Sequence, residues 1–465
     1  MMGSSCDSSK PSCCKTAPTL PSISHQTPSS QTQMATIAGG EETLPVAILG
    51  AGPVGLAAAA NLCERGKKFV VLESGDRIAA SMWQWRHVRL FTPWKYLIDP
   101  AGARLLAAAG NWNEPHADKV PYAKDFIEAF LDPVAALPGI GPNIRLNREV
   151  VSVSREGHDR MKDGHRNEAP FLITTRSPTG NERIRASAVI DATGTWRTPN
   201  PLGAGGVAAD GESEAQEHIC YGMPDILGHD RKRYEGKRVL VVGSGHSAIG
   251  NVLSLVELAK SGADTSVVWA IRRTNPQKLW GGGEADQIEE RGELGLRVKR
   301  AVDLNEVTLM GGLSIAAVRR ESAGLAIIDT EGETRTIVDE IIVSTGARPD
   351  LSMLRELRLE FDLATEASGK LGPLIDPNHH SCGSVPPHGE AELRQPERGF
   401  YLAGMKSYGR APTFLLMTGY EQVRSIVAEL CGDRAAAENV ELVLPETGVC
   451  STDLAAQEES NCCGG

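Results

Sequence analysis

The chain has 465 residues, among them 49 glycines and ten cysteines, and a formal net charge of -11. That length accommodates two to four domains with large cores. The acidic balance excludes a general nucleic-acid or anionic-membrane binder, and no apolar run approaches the ~18 residues of a membrane span.

Residues 1–44 are dominated by Ser, Thr, Pro and Gln and show no apolar periodicity, so they read as a disordered tail. They contain no secretory apolar region, and Asp7, Glu41 and Glu42 speak against a transit segment. A cytoplasmic location is the default expectation. Order begins at Leu44-Pro-Val-Ala-Ile-Leu-Gly50, a short apolar run that reads as a buried strand. A helix is expected over Val54–Arg65, stopped at Gly66, and a second strand over Lys68–Glu73.

This β-α-β unit encloses Gly50-Ala-Gly52-Pro-Val-Gly55. Gly50 permits the tight turn, Gly52 admits a pyrophosphate against the backbone, and Gly55 lets helix and strand approach. Glu73 closes the second strand 23 residues after Gly50, where an acid binds ribose hydroxyls. An acid there selects a free 2′-hydroxyl, hence FAD or NAD and not NADP.

Four of the seven tryptophans, Trp83, Trp85, Trp94 and Trp112, fall in the next segment. A helix is expected over Phe126–Ala136, strands over Leu146–Ser154 and Phe171–Thr175, and a strand and turn over Ala188–Gly194. A Pro-, Gly- and Ala-rich linker covers 199–217. A second β-α-β unit follows, with strands over Lys237–Gly243 and Thr265–Ile271 and a helix over 246–260. Its fingerprint is Gly243-Ser-Gly245-His246-Ser247-Ala248, with Ala where packing alone decides the third position. The next strand ends in Arg272 and Arg273, which suit the 2′-phosphate of NADPH in charge and in bidentate geometry. A basic pair on a solvated strand end is the other reading. Strands are expected at 325–329, 336–344 and Phe400–Gly404, a long loop at 376–398, and a helix over Pro412–Cys431. Beyond Gly432 clear patterning is lost.

Two dinucleotide sites of opposite ribose chemistry resemble the flavoproteins with two dinucleotide-binding domains. The resemblance covers about residues 45–432. Asp191-Ala-Thr193-Gly194 is similar to that family's first return turn, Ser344-Thr-Gly346-Ala-Arg-Pro349 to its second, and Gly399-Phe-Tyr-Leu-Ala-Gly404 to its last flavin-contacting strand. Many members carry Asp after that glycine; here Met405 stands there.

The resemblance implies an α/β fold: an FAD-binding Rossmann-like domain with an inserted NADPH-binding Rossmann-like domain. The boundaries are a Cys-containing tail at 1–44, FAD segments at 45–200 and 336–432, the NADPH domain at 201–335, and a C-terminal tail at 433–465. It places Gly50, Gly52, Gly55, Glu73, Thr193, Gly194, Gly404 and Met405 at FAD. Gly243, Gly245, His246, Ser247, Ala248, Arg272 and Arg273 are placed at NADPH. Trp83, Arg86 and His87 follow the second strand, where this family borders the flavin ring; a hydrophobic core with snorkelling arginines is the other reading.

One branch of these flavoproteins passes electrons to a dithiol, which needs C-x-x-C or C-x4-C. Neither spacing occurs here. The other branch lets reduced flavin meet O2, and the resulting C4a-hydroperoxyflavin oxidises a soft nucleophile. The Tyr234-Glu-Gly-Lys-Arg-Val run fits that branch. The segment Met405-Lys-Ser-Tyr-Gly-Arg-Ala-Pro-Thr-Phe-Leu-Leu-Met-Thr-Gly-Tyr-Glu-Gln-Val-Arg-Ser425, together with Pro377–Gly389, resembles the flavin-dependent monooxygenases of bacterial arsenic-resistance operons. This implies small trivalent arsenic or antimony substrates and O2, oxidised to pentavalent products.

The cysteines bear on that reading. Six of the ten lie in the first 14 and last 16 residues, with adjacent pairs Cys13-Cys14 and Cys462-Cys463. Random placement gives about 0.2 adjacent pairs. Paired thiols suit a soft metalloid ion, and an extended 446–462 segment reaches roughly 55 Å. Cys382, beside His379 and His380, is a nearer candidate ligand. Incidental cysteines in unpacked tails are the alternative. No acid-base residue stands out, no nucleic-acid or membrane partner is expected, and a homo-oligomer is compatible with the sequence. The competing functions are N-hydroxylation of an amine and non-catalytic metalloid binding by a flavoprotein.

Overall fold

The computed structural model describes residues 43–110, 112–280, 289–379, 385–412 and 414–442. Two five-stranded, wholly parallel sheets carry the molecule. The first runs Phe400–Leu402, Ala188–Asp191, Val46–Leu49, Phe69–Leu72, Ile144–Arg145. Val46 stands opposite both Phe69 and Ala188. Val46 and Ile48 face a core of helices, while Ala47 and Leu49 face a core shared with Phe171 and Ile173. Burial on both faces is why the run is apolar throughout instead of alternating.

The second sheet runs Thr308–Met310, Ser266–Ala270, Arg238–Val242, Glu340–Val343, Ile219–Tyr221. Val239 and Val241 meet the helix His246–Lys260, and Leu240 and Val242 meet the opposite layer. Each parallel sheet is backed by a three-stranded antiparallel sheet: Glu149–Arg155, Phe171–Ser177 and Gly180–Ala186 for the first, and Ile315–Glu321, Gly324–Asp329 and Thr334–Val338 for the second.

The expected strand over 336–344 divides in two. Thr334–Val338 pairs antiparallel, and Glu340–Val343 joins the second parallel sheet. Asp339 marks the change, accepting the Arg238 amide at 2.8 Å and its Nε at 3.1 Å. The helix expected over Phe126–Ala136 begins at Ala123 and widens to a π-turn over Ile127–Leu131. The last long helix spans Leu416–Leu430. Beyond it, Arg434–Glu438 forms one further turn, whose Ala437 carbonyl accepts the Ser425 hydroxyl at 2.6 Å. No helix among the described residues is long and apolar enough to cross a membrane.

The helix Pro100–Ala109 starts on Asp99, whose carboxylate accepts the Gly102 amide at 2.6 Å. Asp99 is 3% exposed, and burial pushes its carboxyl up to about 7. A carboxyl raised in the folded state adds stability that is full below its unfolded value near 4 and lost as pH rises through about 7. Asp99→Asn keeps the cap but removes the titration. Its melting temperature is therefore expected to exceed wild type by several degrees at pH 8 and to converge on it as pH falls to about 4; equal differences at both pH values would contradict this.

Candidate active site

Both parallel sheets end in a glycine turn that feeds a helix. In the first, Gly50 adopts φ +92°, and a Cβ there would lie 2.9 Å from the Ala192 carbonyl oxygen. A Cβ on Gly55 would overlap the Gly50 carbonyl oxygen. These two glycines are therefore explained by the fold itself. Gly52 is not. Its φ of -79° and ψ of -176° suit any residue, and a Cβ there meets nothing within 4 Å. The second turn repeats the pattern. Gly243 has φ +135°, and its Cβ would overlap the Ser344 carbonyl oxygen. Gly245 has φ -88° and ψ 175°, with open space beyond it.

Both helices that follow, Pro53–Glu64 and His246–Lys260, start without a side-chain cap. Each presents main-chain N–H groups and the positive end of its dipole beside that open space. A dinucleotide pyrophosphate would occupy it, so the residues present fit such a group at both turns.

Around the first turn, Glu73 is 8% exposed. One carboxylate oxygen accepts the Ala51 amide and the other the Gly75 amide, both at 2.8 Å. This fixes the carboxylate at the strand end while leaving lone pairs for ribose hydroxyls. Thr193 is exposed and Gly194 sits at φ +68° with open space beside it. Gly404 lies against Val54, and Met405 is half-buried. Ala79 donates its amide to the Ala51 carbonyl at 2.9 Å, so the tryptophan-rich segment starts beside the first turn. Trp83 carries Arg77 over its ring at 5.4 Å, and Arg86 turns back to the Trp83 carbonyl at 2.9 Å. His87 is half-buried.

At the second turn, His246 opens the helix, Ser247 follows half-buried, and Ala248 is fully buried against the sheet. Arg272 and Arg273 are exposed at the strand end. Arg272 also reaches the Ala204 carbonyl at 3.2 Å. A guanidinium has five N–H donors, so this bond leaves capacity for a phosphate.

The two clefts meet through aromatic rings. Phe91 packs on His246 at 5.1 Å, and Trp85 on Trp196 at 6.0 Å. Trp196 donates Nε1 to Gln84 at 2.8 Å. A Cβ on Gly222, just past a strand of the second sheet, would lie 2.7 Å from the Trp196 ring.

A buried polar network beneath the first cleft has no counterpart in the motif reading. Lys406 is 1% exposed and its Nζ donates to Asp191 at 2.7 Å and to the Thr193 hydroxyl at 2.9 Å. Gln422 accepts the Gly404 amide at 2.8 Å and donates to His388 Nε2 at 3.0 Å. Burial holds the His388 imidazole below its usual range, in keeping with the acceptor role of Nε2. A lysine inside a Met-Lys-Ser run carries no sequence signal of burial.

The described thiols are Cys63, Cys220 and Cys431, all free. Burial pushes each above the usual thiol range, away from the reactive thiolate. Among the described residues no group of three or more His, Cys, Asp or Glu is placed to hold a metal ion. Cys13, Cys14, Cys382, Cys462 and Cys463 lie outside the described residues.

Two parallel sheets, each with a glycine turn built around space for a pyrophosphate, define the α/β Rossmann-like fold of FAD- and NADP-binding oxidoreductases. The chain belongs to the pyridine nucleotide-disulphide oxidoreductase family, whose pattern matches residues 47–368. It is 30% identical over 220 residues to a ferredoxin–NADP reductase of Thermus thermophilus, covering 46% of this chain and 50% of that protein. It is 29% identical over 244 residues to the indole-3-pyruvate monooxygenase YUCCA1 of Oryza sativa subsp. japonica, covering 50% of each. The chain thus spans about half the length of these curated relatives. The fold is similar to that of the bacillithiol disulfide reductase of Bacillus cereus, with a TM-score of 0.61 at 19% identity, covering 84% of this chain and 99% of that one.

Proposed function

We propose that the protein is an NADPH- and FAD-dependent monooxygenase that oxidises trivalent metalloids to their pentavalent forms. The substrates in view are arsenite, antimonite and methylarsenite. The observation that carries the two-cofactor part is the pair Gly52 and Gly245, glycines for which neither backbone conformation nor packing gives a reason. A bound FAD would supply hydride acceptance from NADPH and reactivity toward O2. Glu73 would hold the ribose of FAD. Arg272 and Arg273 would read the 2′-phosphate of NADPH. Trp83 and Arg86 would border the ring end of the first cleft.

Two features support oxygen as the electron acceptor. The described thiols are held protonated, and the chain has no C-x-x-C or C-x4-C spacing. Likeness to a plant monooxygenase points the same way. For the substrate, the support is the adjacent cysteines Cys13-Cys14 and Cys462-Cys463, soft ligands suited to a soft ion.

The test is oxygen and NADPH consumption with each metalloid. One O2 per NADPH, stimulated by a trivalent species, is expected. Serine at all four paired cysteines is expected to raise the KM for that species. An unchanged KM, or stimulation by an amine alone, would favour an N-hydroxylating enzyme. Stoichiometric metalloid binding without NADPH consumption would favour a sequestering flavoprotein. Separately, the double variant of Arg272→Ala and Arg273→Ala is expected to lower the NADPH-over-NADH preference in kcat/KM by roughly 10-fold or more. An unchanged preference would refute the role given to this pair.

A further inference from the structure

We infer that Lys406 is a positioning residue for the flavin, locking two turns of the first cleft into the register that receives it. The inference rests on the reading of that cleft as an FAD site.

Three segments form the cleft: 50–55, 191–194 and 404–408. Direct packing joins the first to each of the others. Gly50 closes on the Ala192 carbonyl, with only 2.9 Å to spare for a Cβ, and Gly404 closes on Val54, with 3.1 Å. The second and third segments are joined by the backbone bond from Ala403 N–H to the Asp191 carbonyl at 2.9 Å. They are joined again by Lys406. Its ammonium donates to one Asp191 oxygen at 2.7 Å and to the Thr193 hydroxyl at 2.9 Å. The other Asp191 oxygen accepts the Thr193 amide at 3.1 Å and its hydroxyl at 2.7 Å. One ammonium and one carboxylate thus fix both rotamer and backbone of Thr193, next to Gly194 and its open space.

Stability does not call for such a pair. Lys406 and Asp191 are 1% and 0% exposed. Desolvating two charges offsets most of their attraction, and an apolar pair of similar volume would hold the fold as well. A carboxylate–ammonium contact does supply direction, because its hydrogen bonds set the positions of the joined turns. Met405, just before Lys406, has no charge with which to fix this turn itself. The charge is supplied one residue later and from below.

The test compares wild type with Lys406→Arg and with the double variant of Lys406→Met and Asp191→Asn. Each is stripped of flavin and titrated with FAD by fluorescence. Urea unfolding of the apoprotein and the visible spectrum of the reloaded protein are recorded alongside. Lys406→Arg keeps the buried charge balanced, and the double variant removes it. Both are expected to unfold close to the wild-type midpoint, to bind FAD about 10-fold more weakly, and to shift the flavin absorption band. A merely structural pair would leave affinity and spectrum at wild-type values wherever stability is retained, and that result in both variants overturns the inference. If wild-type apoprotein takes up no FAD, the flavin reading itself falls, and this inference with it.

Discussion

Alanine at Gly52 is expected to cost the protein its flavin and leave its fold untouched. The backbone there is ordinary, and the added methyl points into space with nothing within 4 Å. In the cofactor-free protein the unfolding midpoint should stay within about 1 °C of wild type, since no contact is lost or strained. If the pyrophosphate fills that space, the methyl meets it, and FAD affinity should fall about 100-fold, roughly 2.7 kcal/mol. Gly55→Ala is the counterpart. Its methyl overlaps the Gly50 carbonyl oxygen, so it should destabilise the apoprotein by on the order of 1–3 kcal/mol as well as impair binding. Isothermal titration with FAD and calorimetric melting separate the two. Unaltered FAD affinity in Gly52→Ala would remove the main support for a nucleotide in the first cleft.

The largest loss of stability is expected at Glu397. This carboxylate is 1% exposed and joins two guanidiniums that are 3% and 2% exposed. It accepts Arg155 Nε at 2.8 Å, Arg166 at 2.8 and 3.2 Å, and the Arg358 amide at 3.0 Å. The Arg155 guanidinium carbon sits over the Phe171 ring, 3.7 Å from its centroid, and the group reaches the Ala169 and Arg398 carbonyls. The cluster ties the 157–169 loop and the backing sheet to the chain entering the last strand. Burial alone would push the Glu397 carboxyl up, but Arg166, the Arg358 amide and Arg155 together hold it below the usual range. Its contribution is therefore full above pH ~4.5 and is lost as pH falls through the depressed value.

Glu397→Ala strands two buried cations and should cost about 3–5 kcal/mol. Glu397→Gln keeps the shape and some of the bonds and should cost less. Urea unfolding at pH 7 is the measurement; a loss below about 1 kcal/mol for the alanine variant would show the arginines to be satisfied by the carbonyls alone.

Both glycine turns, their helices and the central strands were legible in the sequence, because each is dictated within some 30 residues. Gly50 and Gly243 must turn, Gly55 must pack, and the strands between two covered faces must be apolar throughout. Glu73 and the Arg272–Arg273 pair were placed at their strand ends for the same local reason. What escaped is non-local or disguised. The strand Gly180–Ala186 buries only Ile184 and Ala186, too little alternation to stand out. The expected strand 336–344 joined two short apolar stretches across Asp339 and Glu340 and concealed a change of sheet, because hydrophobicity does not record which neighbour a strand takes. Lys406 and Glu397 joined partners 215 and 231–242 positions away in sequence. A charged residue looks solvent-bound until its partner is folded against it.

The contact between Trp196 and Gly222 places a fluorophore where both clefts would be sensed. Trp196 follows the Gly194 turn of one cleft and its ring rests against the backbone leaving a strand of the other sheet. Its indole N–H is held by Gln84, and the Trp85 ring lies tilted against it at 6.0 Å. A flavin beside the first turn would quench this fluorophore, and a reduced pyridine nucleotide at the second would draw off its excitation energy. Loading of either cofactor is therefore expected to change tryptophan emission, and the part of that change lost in Trp196→Phe, which keeps the other six tryptophans, is the part this ring reports.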